Sequence, residues 1–226
     1  MPANNIALEL IKSSKCPIVA PSANASGKPS GTRLEDIKEE LDGKVDAMID
    51  GGDTDVGIES TVVKVIDGIP TILRPGKITP EDIINITGVC KIDAKVMEKV
   101  QENDKVESPG MKYKHYAPKT KCVLVKREEK NKQIEKVNKL IKINKSEGKK
   151  VCVLGFEEHK KQIETNNFII LGKENDINQI SKRIYTSLRN ADKLSVDLII
   201  IEGTNEEGMG LAIINRLVRT CEFNVY

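Results

Sequence analysis

Beyond residue 120 the chain alternates short apolar runs with longer stretches of helical spacing, and this alternation restricts its fold more than any other feature. Residues 122–125, 151–154, 168–171 and 198–201 are strand-like and rich in Val, Ile and Leu. Residues 130–146, 177–191 and 211–218 carry apolar side chains at helical intervals. Strands joined by helices form right-handed crossovers, so the pattern predicts a mainly parallel sheet with helices packed on it. Such sheets hold ligands at the carboxyl ends of their strands, here Gly155 and Glu202-Gly203-Thr204. No Gly-x-Gly-x-x-Gly follows any of the four runs, which argues against a dinucleotide site.

The first 95 residues are organised differently. Asn4 or Asn5 can cap a helix running through Ser14, and Pro17 opens a short strand that ends at Ile18-Val19. Thr32 and Glu35 stand at capping-box spacing, which predicts a helix over 33–41 stopped by Asp42-Gly43. Residues 45–49 form a second strand candidate. Residues 60–66 and 69–73, separated by Asp67-Gly68, read as a hairpin. Thr79-Pro80-Glu81-Asp82 then supplies an N-cap, a proline at the first helical position and acids in the first turn, with Gly88 as terminator. The chain therefore divides into a first unit over 1–95, a linker over 96–120 and a second unit over 121–226. The linker holds Tyr113, His115 and Tyr116 among Pro and Gly, an unusual content for a plain tether.

Composition excludes several functions. In 226 residues, 36 Lys and Arg face 34 Asp and Glu, so no basic field marks a nucleic-acid surface. Three Phe, four Tyr and no Trp leave little for stacking bases. The five cysteines are scattered and never form Cys-x-x-Cys, so they read as buried thiols of a reducing compartment. No run reaches the roughly 18 apolar residues of a membrane span, and the first residues lack a signal-peptide pattern. The expected location is cytoplasmic, with no membrane partner.

Three polar loops of the first unit follow strand-like runs. The first is Ala20-Pro21-Ser22-Ala23-Asn24-Ala25-Ser26-Gly27-Lys28-Pro29-Ser30-Gly31-Thr32; the second is the glycine- and aspartate-rich stretch 51–60; the third is Arg74-Pro75-Gly76. If the strands lie side by side, the loops converge. They would then present the hydroxyls of Ser22, Thr32 and Ser60, the Asn24 amide, glycine backbone and the Arg74 guanidinium, a set suited to a phosphate with a small polar partner. Taken singly, each loop is better accounted for by ordinary turn chemistry. Lys28-Pro29-Ser30-Gly31-Thr32 lacks the order of a Walker motif, and His115 has no Ser-His-Asp context that would make it a catalyst.

Together these stretches resemble the two-domain L-threonylcarbamoyladenylate synthases, whose catalytic domain is YrdC-like. The matching pieces are residues 20–32, Gly57-Ile58-Glu59-Ser60-Thr61-Val62-Val63, Leu73-Arg74-Pro75-Gly76, Ser108-Pro109-Gly110-Met111 with His115-Tyr116-Ala117-Pro118, and Gly210-Leu211-Ala212-Ile213-Ile214-Asn215-Arg216. The resemblance implies an α/β fold: the C-terminal half of a YrdC-like twisted-sheet domain followed by a Rossmann-like parallel domain. It also implies synthesis of threonylcarbamoyl-AMP from L-threonine, bicarbonate and ATP, with magnesium on the phosphates, release of pyrophosphate, and a product used to modify tRNA by downstream proteins. Position by position, Ser22, Asn24, Thr32 and Arg74 would contact ATP, Ser60 would contact threonine, and Tyr116 would touch the nucleotide from a linker acting as a lid. The family pattern places a Lys-x-Arg motif and part of the threonine pocket ahead of the residues matched here, so this chain is expected to be inactive alone. The alternative to an enzyme is a non-catalytic tRNA- or nucleotide-binding fragment.

Overall fold

A computed structural model describes residues 2–25, 28–99 and 117–226. The expected nucleotide contact of Tyr116 lies outside these residues. The chain is an α/β protein built on two sheets. Strands β4 (Lys121–Val125), β5 (Val151–Phe156), β6 (Phe168–Gly172) and β7 (Leu198–Glu202) stand in the order β4-β7-β5-β6, every pairing parallel. Helices α4 (Lys130–Ser146) and α5 (Ile177–Lys193) form crossovers between strands, and α6 (Met209–Thr220) follows β7.

Why these strands read as unbroken apolar runs follows from their two buried faces. Cys122, Leu124, Cys152, Leu154, Ile199 and Ile201 enter one core with α5 and α6. Val123, Val125, Val151, Val153 and Ile200 enter a second core with Ile134, Val137 and Ile141 of α4. Successive residues thus serve opposite layers, each fully buried side chain contributing roughly 1.5–3 kcal/mol. The extreme C-terminus adds a segment the sequence does not announce. Tyr226 N donates to Leu124 O at 2.8 Å, and Lys126 N donates to Tyr226 O at 3.1 Å, covering the free edge of β4.

The first unit is smaller. Helices α1 (Asn5–Ser14) and α2 (Leu34–Leu41) precede β1 (Val62–Ile66) and β2 (Ile69–Arg74), which pair antiparallel. Asp67 and Gly68 both have positive φ, 50° and 76°, as a two-residue hairpin turn requires. Helix α3 (Pro80–Thr87) has the expected Thr79 N-cap and Pro80, completed by a capping box with Asp82, and β3 (Lys91–Ile92) returns parallel to β2.

Three expectations are corrected. Residues 17–19 and 45–49 form no strand, and Val19 is 96% and Ile49 60% exposed. Among the described residues no neighbour takes up their backbone groups in a ladder, and β-branched composition alone does not make a strand. Helix α2 begins at an Arg33 cap without a side-chain bond, because the Thr32 hydroxyl lies 3.0 Å from that of Thr186 instead. Of the cysteines, Cys122, Cys152 and Cys221 are buried, whereas Cys16 is exposed and Cys90 half-buried. Burial, with Cys122 nearby, pushes the Cys152 thiol up to about 12, making it unreactive. No helix among the described residues is long and apolar enough to cross a membrane.

Candidate functional site

The hairpin brings Ser60 and Arg74 together. Val62 pairs with Arg74 at a bulged end of the β1–β2 ladder, so the guanidinium emerges beside the residues leading into β1. Arg74 Nε and Nη2 donate to Ser60 O at 3.1 and 2.9 Å, and Nη2 lies 3.4 Å from Ser60 Oγ. The turn after Arg74 closes on the same backbone. A Cβ on Gly76 would fall 2.4 Å from Thr61 N and 2.5 Å from Glu59 O, so only glycine permits this approach.

The loop over 20–32 is organised by Asn24. Its Nδ2 donates to Ala25 O at 3.0 Å and Lys28 O at 3.3 Å, while its Oδ1 accepts from Ser30 Oγ at 3.3 Å. Ser22 is exposed, and its carbonyl accepts from Asn24 N at 3.0 Å. Thr32 is buried against α5. Asn24 bonds within its own loop and Arg74 bonds to Ser60, and the second unit links the two segments.

That link uses residues the sequence reading assigned no role. Glu40 of α2, 4% exposed, accepts from Ala25 N at 2.5 Å and pairs with Arg189 of α5 at 2.5 Å. Arg189 also donates to Pro29 O. Glu59 accepts from Tyr185 Oη at 2.9 Å and from Arg216 Nε at 2.5 Å. Burial opposes ionisation of Glu59, but the Arg216 charge and the hydrogen bonds it receives outweigh this and hold its carboxyl below the usual range. Ile58 is 7% exposed and inserts into the second unit's core, and a Cβ on Gly57 would fall 2.3 Å from Ser181 O. The one available signal was adjacency, since Glu59 precedes Ser60 and Arg216 ends the last matched stretch; the pairing itself spans 157 positions.

Two cavities adjoin these elements. One, of about 630 Å³, is bounded by Thr32, Arg33, residues 53–55 and the Lys182, Arg183 and Thr186 side of α5. The other, of about 590 Å³, lies at the strand carboxyl ends, between Arg127, Phe156, Glu174 and Thr204. Behind it, buried His159 places Nδ1 2.7 Å from Glu202 Oε1, while Glu202 Oε2 accepts from Phe156 N at 3.0 Å. Among the described residues no three His, Cys, Asp or Glu side chains gather as a metal site.

A parallel α/β sheet whose helices hold the segments around Ala25 and Glu59, beside a smaller sheet that carries Ser60 and Arg74, defines an α/β protein with a polar candidate site. The chain belongs to the threonylcarbamoyl-AMP synthase family. Residues 78–221 match the model for the C-terminal domain of threonylcarbamoyl-AMP synthase, and residues 1–76 match the model described as telomere recombination. It is 39% identical over 225 residues to the threonylcarbamoyl-AMP synthase of Pyrococcus abyssi, covering 100% of this chain and 64% of that protein. The Bacillus subtilis synthase is 39% identical over 219 residues, covering 97% of this chain and 61% of its own length. The crystal structure of P. abyssi Sua5 complexed with L-threonine superposes with a TM-score of 0.89 at 38% identity, over 100% of this chain and 64% of that one. The chain thus spans less than two thirds of the relatives it matches.

Proposed function

We propose that the protein, at its full length, makes threonylcarbamoyl-AMP from L-threonine, bicarbonate and ATP, working in the cytoplasm and supplying proteins that modify tRNA. The observation that carries this reading is the Arg74 guanidinium fixed on Ser60, in a chain 39% identical over 225 residues to a threonylcarbamoyl-AMP synthase. In the reaction, the amine of threonine takes up bicarbonate with loss of water, and a carbamate oxygen attacks the α-phosphorus. The bond to the bridging oxygen breaks and pyrophosphate leaves with the electron pair. No covalent enzyme intermediate is required, so the protein acts by orienting both reactants and stabilising charge on phosphate oxygens.

In this assignment Ser22, Asn24, Thr32, Arg74 and Tyr116 serve ATP, and Ser60 serves threonine. The lid role of Tyr116, and the division into units at 1–95, 96–120 and 121–226, belong to the same proposal. The described donors are hydroxyls, an amide and a guanidinium rather than clustered carboxylates, so the expected magnesium is assigned to the triphosphate oxygens. Ser22 and Ser60 are both exposed, and we place them on one wall of the site; by this reading turnover needs an opposite wall, and these 226 residues alone are expected to be inactive.

The test is pyrophosphate release from ATP that depends on both threonine and bicarbonate. The expected result is release by the full-length protein and none by these 226 residues. In the active form, Arg74→Ala is expected to weaken ATP binding by about 1.5–3 kcal/mol, the scale of a charge-assisted hydrogen bond. Unchanged ATP affinity would remove Arg74 from the site, and full turnover by the 226 residues would remove the missing-wall requirement.

A further inference from the structure

We propose that the second unit positions the two substrate segments separately: Arg189 holds the loop assigned to ATP, and Arg216 with Tyr185 holds the segment assigned to threonine. This rests on the substrate assignment above, and it gives the parallel α/β unit a role in the reaction without contact with either substrate.

The grip on the loop is a short chain of buried groups. Arg189 is 8% exposed and Glu40 4%. The guanidinium donates to Pro29 O and pairs with Glu40, whose other oxygen accepts from Ala25 N. Positions 25 and 29 lie within the span closed by the Asn24 to Ser30 hydrogen bond, so one α5 side chain holds the loop at both ends of that span, directly at Pro29 and through Glu40 at Ala25. At its far end the loop is also anchored by Thr32, whose hydroxyl lies 3.0 Å from that of Thr186 and whose carbonyl accepts from Thr54 N at 3.0 Å; the bonds of Asn24 are local and set the loop's shape.

The second grip is independent of the first. Both carboxylate oxygens of Glu59 lie within hydrogen-bond reach of Tyr185 Oη, at 2.9 and 3.1 Å, and Oε2 also receives Arg216 Nε. Arg216 is 2% exposed and is steadied by Asn215, whose Oδ1 accepts from Arg216 Nη1 at 2.6 Å. Gly57 packs directly on the α5 backbone, so the two residues before Glu59 have no room to shift. Ser60 follows Glu59 immediately and is bonded to Arg74 from the other side. The hydroxyl assigned to threonine is therefore located by Glu59, and Glu59 by the second unit.

Tyr185 and Arg189 are one helical turn apart on α5, so one rigid element carries both grips to different segments. Misplacing a substrate-orienting group by about an ångström is costly even when the mutation is remote from the reaction. The two grips should therefore be separable by substrate.

The experiment measures KM for ATP and for L-threonine, with kcat, in the full-length protein and its variants. Arg189→Ala is expected to raise the ATP KM about tenfold and leave the threonine KM within about twofold, and Arg216→Met to do the reverse. A role confined to stability would lower the active fraction, and with it kcat, leaving both KM values in place. If either variant fails to fold, Arg189→Lys and Tyr185→Phe keep most of the volume and carry the same two predictions at smaller amplitude. Parallel shifts of both KM values, a fall in kcat alone, or no change in variants that fold would overturn the inference. Wild-type protein with no threonine-dependent pyrophosphate release would instead overturn the function on which it rests.

Discussion

In β7 the residues Ile199, Ile200, Ile201 and Glu202 are all buried, whereas in β1 the residues Val63, Lys64, Val65 and Ile66 are all exposed. The two strands have similar β-branched composition, so propensity does not separate them. What differs is cover. β7 runs between α4 on one side and α5 with α6 on the other, and its odd and even residues enter different cores. Around β1 the described residues supply β2 and little else, and large apolar side chains from Ile6 to Met97 remain at the surface. Beyond residue 120, only Ile143, Leu194 and Tyr226 do so among the described residues. The second unit closes its own core, and the first is held chiefly where the second grips it, at Glu40, Ile58 and Glu59.

This contrast predicts unequal responses to mutation. The largest effect is expected inside the parallel sheet, where Leu154 is fully buried; Leu154→Ala should cost about 2–5 kcal/mol in urea unfolding, from lost burial plus the cavity left behind. A loss below about 1 kcal/mol would mean that this core collapses freely and is not the rigid partner the contrast requires.

A smaller effect is expected at the junction, and it depends on pH. Because the folded carboxyl of Glu59 titrates below its ordinary value, its contribution is fully present above the unfolded value of about 4.3 and is lost as pH falls through the folded one. Unfolding midpoints followed from about pH 7 to pH 3 should decline on that limb, and Glu59→Gln should flatten the decline. An unchanged slope in Glu59→Gln would show that other carboxylates set the acid limit, leaving the junction indifferent to this ion pair.

Legibility in the sequence followed the same division. The second unit was readable because its strands are apolar on both faces and its helices long: each of the four strands and three helices appears within a few residues of its expected span. The hairpin and α3 were readable because Asp67-Gly68 and Thr79-Pro80 act locally. Residues 17–19 and 45–49 misled because a strand needs a partner, which local composition does not reveal. Within the candidate site, Ser60 and Arg74 were brought together by a hairpin that the sequence does announce. Glu40 with Arg189 and Glu59 with Arg216 were not legible as pairs, since contacts across 150 or so residues leave no periodicity.

The smallest effect is expected on the open face of the first sheet. Val65 is 66% exposed, so Val65→Thr removes little buried area, keeps the β-branched shape and leaves the new hydroxyl in water. The change in unfolding free energy should stay within about 0.5 kcal/mol. Its effect on the surface should be easier to detect, because Val63 and Val65 share one face of β1 and are both exposed, apolar surface of the kind that promotes association. Fluorescence of a hydrophobic dye bound to these 226 residues should fall in Val65→Thr while the urea midpoint stays in place. A clear loss of stability instead would mean that Val65 is packed against a neighbour in solution, and that β1 and β7 are more alike than their exposures indicate.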